Sequence, residues 1–272
     1  MRHLVLGSSG QIGDHLVKYL QDKGEQVTEY DIEYKEWQDL REGYNPSLES
    51  YIDTCDIVYF LAFDVGGAKY LEENQDKYQF IDNNMRIMVN TFDLLKRYEK
   101  PFIFASSQMS EMGYSSYGML KALGEKITRD LGGLVVRFWN VYGYETDPAK
   151  SHVITDFIKM AKHDKVIKMR TDGTESRQFL YADDACEALL TLFKEYNNLD
   201  KNKEFCITSF KWSKVYEIAD VLDVLSSCEV IPANRKDETQ RNAMNEPDPY
   251  IKKYWKPRTS LQEGIMKLYN MY

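Results

Sequence analysis

An apolar run, Leu4-Val5-Leu6, passes straight into Gly7-Ser8-Ser9-Gly10-Gln11-Ile12-Gly13, and no other segment restricts the fold as strongly. A strand turns there into a helix. Gly7 permits the tight turn, Gly10 lets backbone N–H groups approach a pyrophosphate, and Gly13 allows the helix to pack closely on the strand. The helix opening at Gln11 directs its partial positive charge toward phosphate oxygens. Glycine spacing alone also suits a surface turn, so the context decides. Ile12, Leu16, Val17 and Leu20 form a helical stripe, Gly24 stops the helix, and Gln26-Val27-Thr28-Glu29-Tyr30-Asp31 has the pattern of a second strand. Asp31 at its end suits hydrogen bonds from adenosine ribose hydroxyls and repels a 2′-phosphate, so NAD is expected in preference to NADP.

Composition narrows the partners. The 272 residues are 43% hydrophobic, enough for one large domain or a main domain with a smaller lobe. A net charge of −8 without a dense basic run argues against an extended nucleic-acid footprint. No apolar stretch approaches the roughly 18 residues of a membrane span, and the chain opens into a strand without a signal-peptide flank. A cytoplasmic protein with a small-molecule partner and no membrane partner is expected. Cys55, Cys186, Cys206 and Cys228 lack paired spacing, so neither a metal site nor a disulfide framework is suggested.

Apolar runs alternate with helical patterns: Ile57 to Ala62, a helix around Asn83 to Tyr98, Phe102 to Ala105, a helix around Tyr117 to Leu131, then Leu134 to Phe138. Such alternation implies a parallel sheet covered on both faces, with ligands at the carboxyl ends of the strands. Beyond Gly143 the rhythm breaks into a helix from about His152 to His163, a short strand Val166 to Met169 and a turn at Asp172-Gly173. The segments Gln178 to Tyr181 and Glu204 to Thr208 are expected to return to the main sheet, with a helix from Asp183 to Tyr196 between them. Pro232, Pro247, Pro249 and Pro257 suggest short elements in a small irregular lobe.

Tyr117-Gly118-Met119-Leu120-Lys121 places a phenol and an ammonium at i and i+4 of a helix. A nearby ammonium favours phenolate and lowers the tyrosine pKa, as hydroxyl/ketone interconversion near neutral pH requires. Tyr19 and Lys23 share the spacing as an ordinary surface pair. Only Tyr117 has Phe102-Ile103-Phe104-Ala105-Ser106-Ser107 beside it, a strand ending in hydroxyls. Ser107 is expected to polarise a substrate hydroxyl while Tyr117 exchanges its proton.

Together these segments resemble the extended short-chain dehydrogenase/reductases of the nucleotide-sugar epimerase, dehydratase and reductase family, over nearly the whole length. Arg137-Phe138-Trp139-Asn140-Val141-Tyr142-Gly143 is similar to the strand that ends beneath the nicotinamide, and Asn140 to a sugar or phosphate contact. Arg177-Gln178-Phe179-Leu180-Tyr181 resembles the return strand whose arginine grips the diphosphate. Arg235 and the stretch from Trp255 to Ile265 resemble the C-terminal lobe. Ala62-Phe63-Asp64-Val65-Gly66-Gly67, Asn83 to Asn90 and Ser151-His152-Val153-Ile154 are similar to the GDP-sugar branch of GDP-fucose synthase and GDP-mannose 3,5-epimerase, in which the histidine serves as an acid.

The implied fold is α/β, a Rossmann doubly wound parallel sheet with a small, mostly C-terminal substrate-binding lobe. Residues 1–143 and about 178–210 would form the NAD-binding domain, and about 144–177 with 211–272 the lobe. NAD contacts are expected from Gly7, Ser9, Gly10, Gln11, Ile12, Gly13, Asp31, Asp39, Leu40, Leu61, Ala62, Tyr117 and Lys121. Substrate contacts are expected from Gly66, Gly67, Ser107, Gln108, Met109, Asn140, His152, Arg177 and Arg235, and catalysis from Ser107, Tyr117, Lys121 and His152. Homodimerisation through the helices at Asn83 and Tyr117 is implied as well.

The departures refine the activity. Epimerising members of the branch carry a cysteine base two residues beyond the serine, where this chain has Met109, and a thioether cannot ionise. Dehydratases carry an Asp-Glu pair where Gln108-Met109 stands. What remains is oxidation and reduction at C4 of a nucleotide-diphosphate sugar, as in a 4-epimerase or 4-dehydrogenase. The alternatives are a 4-keto nucleotide-sugar reductase and a non-catalytic NAD-sensing scaffold.

Overall fold

The computed structural model describes residues 1–272 apart from 44, 146, 148, 242 and 243. In chain order the elements are β1 (Arg2–Leu6), α1 (Gln11–Asp22), β2 (Gln26–Tyr30), α2 (Pro46–Thr54), β3 (Ile57–Phe60), α3 (Ala68–Asn74), α4 (Tyr78–Tyr98), β4 (Phe102–Ser107), α5 (Ser116–Asp130) and β5 (Leu134–Phe138). Then follow β6 (Asn140–Tyr142), α6 (Val153–His163), β7 (Val166–Lys168), β8 (Ser176–Arg177), β9 (Phe179–Tyr181), α7 (Ala182–Lys194), β10 (Glu204–Ile207), β11 (Ser213–Lys214), α8 (Val215–Ser226), β12 (Glu229–Ile231) and α9 (Leu261–Met271).

Six strands form a parallel sheet in the order β10-β5-β4-β3-β1-β2. The chain moves outward from β1 to β2 and then returns to β3 on the other side, so the topological switch point lies between β1 and β3. Its strands are apolar on both faces, as a doubly covered sheet requires. Val5, Tyr59, Ile103 and Val136 pack toward α1 and α7, whereas Leu4, Phe60 and Phe104 pack toward α4 and α5. A third apolar cluster, including Ile158, Ile167, Phe179, Ile218 and Leu268, joins α6, β7, β9, α8 and α9 into the smaller lobe.

Two expectations change. Phe179–Tyr181 does not enter the main sheet but pairs with Asn140–Tyr142, while Glu204–Ile207 takes the place beside β5. β9 is taken up by its parallel pairing with β6, and α7, which follows it directly, returns to pack on α1. The C-terminal stretch is also more regular than its prolines suggest. Ser260 caps α9 reciprocally with Glu263, and Ile251 and Trp255 are buried in the main core beside Phe205.

Helix α4 begins at Tyr78, a turn before the asparagines that looked like its start. Asparagine is a weak helix former, but here it anchors a loop. Asn84 donates to the Phe80 and Asp64 carbonyls and accepts from the Asp64 N–H, and Asn83 donates to the Asp64 carboxylate. The loop after β3 is thereby pinned to α4.

Candidate active site

The glycine loop lies at the switch point. Gly7 has φ +84°, and a Cβ there would fall 2.6 Å from the Ala62 nitrogen at the end of β3. A Cβ on Gly13 would lie 2.0 Å from the Gly7 carbonyl oxygen, so helix and loop touch backbone to backbone. Gly10 caps α1 without a side-chain hydrogen bond, which leaves the first helical N–H groups, at Gln11 and Ile12, for an anion. Asp31 follows β2 and accepts from the Ser9 and Glu33 N–H groups. Of the other expected cofactor contacts, Leu61 and Ala62 follow β3, Leu40 is buried, and Asp39 is clamped by Arg41 at 2.6 and 2.8 Å. That guanidinium holds the Asp39 carboxyl below its usual range, working against burial.

The three residues expected to be catalytic, Ser107, Tyr117 and Lys121, come together at the end of β4. Ser106 is consumed by the buried Glu125, to which it donates at 2.6 Å, and Glu125 is gripped twice by Arg137. Ser107 accepts from the Met109 N–H and is the hydroxyl that acts on Tyr117. Tyr117 opens α5, whose start is pressed onto the turn after β4: a Cβ on Gly118 would meet the Met109 carbonyl at 2.1 Å. Gly118 thus lets α5 start against the turn that follows Ser107, a role not visible in the sequence.

The electrostatics differ from the expectation for this pair. Burial pushes the Tyr117 phenol up to about 12, offset in part by Ser107. Lys121 does not lower it, because its ammonium donates to the Ala105 carbonyl at 2.6 Å and lies 3.6 Å from the Phe63 ring centre. Phe63 in turn packs edge-on against Tyr117 with ring centres 5.8 Å apart. Burial, opposed by Glu125, brings Lys121 down to about 7. The aromatic wedge of Phe63 was hidden in an ordinary apolar run.

Gln108 and Met109 are both buried. The Gln108 amide donates to Gln240 at 3.1 Å, while Met109 belongs to the core that also holds Tyr117. Asn140 lies at the start of β6 and its buried Oδ1 has no partner among the described residues. Both expected diphosphate arginines are engaged by carboxylates. Arg177, 5% exposed, pairs with Asp237 and donates to the Arg241 carbonyl at 2.7 Å. Arg235, 45% exposed, bonds Glu72 of α3 at 2.7 Å, and Arg170 takes the other oxygen at 2.8 Å.

The double glycine is joined to the histidine segment. Gly67 donates to the Lys150 carbonyl at 3.1 Å, and Gly66 packs against Tyr70 and Lys150. His152 precedes α6, and its Nδ1 lies 2.5 Å from Glu145, a residue that sequence reasoning passed over. No sequence pattern flags a carboxylate seven residues away across a loop.

Residues 3–208 match the pattern of the NAD dependent epimerase/dehydratase family. The chain belongs to that family. NAD is accordingly its cofactor, and the side-chain-free loop, the uncapped start of α1 and Asp31 fit a dinucleotide. One relative is a UDP-N-acetyl-alpha-D-glucosaminuronate decarboxylase from Bacillus cytotoxicus, 27% identical over 235 residues that cover 72% of each chain. Another is a UDP-glucuronate 4-epimerase from Thermodesulfobacterium geofontis, 27% identical and covering 71% of each. Among solved structures, the UDP-glucuronic acid 4-epimerase of Bacillus cereus superposes with a TM-score of 0.83 at 20% identity, over 99% of this chain and 98% of its own. That likeness extends the family's fold to the smaller lobe, beyond residue 208. Among the described residues no helix is long and apolar enough to cross a membrane.

Proposed function

We propose that the protein oxidises and re-reduces C4 of a nucleotide-diphosphate sugar, as a 4-epimerase. The observation that carries this reading is the convergence of Ser107, Tyr117 and Lys121 on the strand ends beside the switch-point glycine loop, with the apolar Met109 where a second base would be needed. NAD supplies the hydride acceptor and donor. Ser107 orients the C4 hydroxyl, and Tyr117 takes or returns its proton. Lys121, one helical turn beyond Tyr117 and bonded to the Ala105 carbonyl, would hold the nicotinamide ribose. Asn140, with its spare amide oxygen, and the Gly66-Gly67 turn line the sugar, and Arg177 and Arg235 face the diphosphate.

A second reading shares the first step. A sugar bearing a C5 carboxylate becomes a β-keto acid once C4 is oxidised, and it loses CO₂ without a further base. The decarboxylase relative favours this branch. The deciding experiment incubates the protein with UDP-glucose, UDP-glucuronate, UDP-N-acetylglucosamine and GDP-mannose, and follows the products by NMR together with CO₂ and NADH. Inverted C4 in one of these sugars supports the epimerase, CO₂ release with a pentose product replaces it with the decarboxylase, and net NADH accumulation replaces it with a dehydrogenase. Inertness toward every sugar, with NAD still bound, would leave the scaffold reading.

The two arginines should separate. Arg235→Ala removes an exposed charge and should raise KM by roughly tenfold with kcat little changed. Arg177→Ala should also destabilise the fold by about 1–3 kcal/mol, because it removes a buried guanidinium and leaves the Arg241 carbonyl and the half-buried Asp237 without that donor. Thermal unfolding and steady-state kinetics check both, and an unchanged KM in both variants would place the diphosphate elsewhere.

The protein is also proposed to act as a homodimer. Met85 and Val89 on α4, and Met119 and Leu123 on α5, are exposed at i and i+4 on two helices that pack together. Light scattering at micromolar concentration tests this, and a monomer would refute it.

A further inference from the structure

The loop after β6 holds a carboxylate–imidazole pair that the C4 chemistry does not require. Glu145 is buried, and both its oxygens are aimed at His152: Oε1 lies 2.5 Å from Nδ1, and Oε2 accepts the His152 backbone N–H at 3.0 Å. An ionised carboxylate can only accept, so Nδ1 carries the proton. Glu145 is itself clamped. Its N–H donates to the Tyr272 hydroxyl at 2.7 Å, and that hydroxyl donates to the Glu145 carbonyl at 2.8 Å. Four contacts therefore fix one side chain and its backbone.

The opposite edge of the ring is free. Nε2 has no hydrogen-bond partner among the described residues, and 36% of the His152 side-chain surface is open. The same loop is tied to the double glycine through Gly67 N–H and the Lys150 carbonyl, so His152 is held next to the turn proposed to line the sugar.

We propose that Glu145 is a positioning residue that keeps His152 protonated, so that its Nε2–H is a charged donor to an oxygen of the bound nucleotide sugar. This rests on the proposed sugar site and extends it. Glu145 is held below the usual carboxylate range and His152 above its usual value; burial opposes both charges, and their mutual hydrogen bond outweighs it. The other groups nearby are Asp156 on α6, bonded to Ser151, with Lys159 one turn on and the Tyr272 hydroxyl at the end of α9. Asp156 also favours the imidazolium, but it makes no hydrogen bond to the ring. An imidazolium held this way gives a proton or a hydrogen bond and does not accept a proton from carbon.

Activity that needs the imidazolium is complete below the raised His152 pKa and falls as the pH rises through it. Replacing Glu145 with glutamine keeps the shape and removes the charge, so the imidazole should hold its proton at least about tenfold less tightly. The alkaline fall of kcat/KM should move to lower pH by the same amount.

The test follows the His152 ring by NMR titration in the wild type and in Glu145→Gln, alongside kcat/KM against pH for the sugar that turns over. A ring and a rate profile that move together support the proposal, as does return of both toward wild type in Glu145→Asp. An unmoved ring overturns it. So does a ring that moves while the rate profile does not. Glu145→Asp alone decides the matter if the glutamine variant does not fold, since its shorter reach must still displace ring and profile in parallel. A wild type inert toward every nucleotide sugar would overturn the site reading and the dyad's role with it, whereas an unmoved ring in an active enzyme overturns the dyad alone.

Discussion

Tyr117→Phe is expected to lower kcat by roughly 10²- to 10⁴-fold, the range for a general acid/base, while NAD affinity and the melting temperature stay close to wild type. The phenol is buried, and the Ser107 hydroxyl is the partner it has among the described residues, so its loss leaves an apolar ring in an apolar pocket. Edge-on packing against Phe63 is preserved in phenylalanine. The defect should therefore appear in the chemical step alone, visible as a single-turnover rate with cofactor bound. Burial sets the ordinary phenol near 12, so a wild-type enzyme without a raised rate at higher pH would mean that bound ligands supply the missing stabilisation of the phenolate. Undiminished turnover in Tyr117→Phe would place the proton transfer elsewhere.

The other large effect is all-or-none. Turnover in D₂O is expected to leave C3 and C5 of the sugar free of deuterium. Removing a proton from either carbon of a 4-keto sugar needs a basic group beside it. Met109 is buried in the core and cannot titrate, Gln108 is tied to Gln240, and His152 is held protonated by Glu145. Protons therefore exchange only at the C4 hydroxyl. Product NMR reads the result directly, and enzyme-dependent deuterium at C3, or at C5 of a product that keeps its C5 substituent, would show that a base operates in the site after all; loss of CO₂ would label C5 without one.

Much of the architecture was legible because its signals are local. The strand–glycine–helix junction, the apolar alternation and the i, i+4 tyrosine–lysine pair are all short-range patterns, and each occurs where expected. What escaped was long-range. Nothing in three residues, Phe179–Tyr181, says whether they pair with β5 or with Asn140–Tyr142; the neighbour is chosen by the lobe that intervenes. The i, i+4 rule likewise gives proximity along a helix but not the burial that raises the Tyr117 phenol, nor the Ala105 carbonyl and Phe63 ring that the Lys121 ammonium engages. Glu145, Glu72 and Asp237 were invisible because a carboxylate has no periodic signature; only folding brings each to its cation.

The placement of β10 has a kinetic consequence. Glu204 lies opposite Val135, so the edge of the main sheet cannot close until the whole stretch from β6 through α7 has been looped out and brought back. Contacts of such sequence separation lose chain entropy before they gain pairing energy, and they slow folding. The five strands from β1 to β5 and their pairings with one another lie within the first 138 residues, while α7, which covers one of their faces, comes later. During synthesis they would emerge first and wait with the outer edge of β5 uncovered. That bare edge is a template for another chain, and the risk persists until residue 207 has been made and docked.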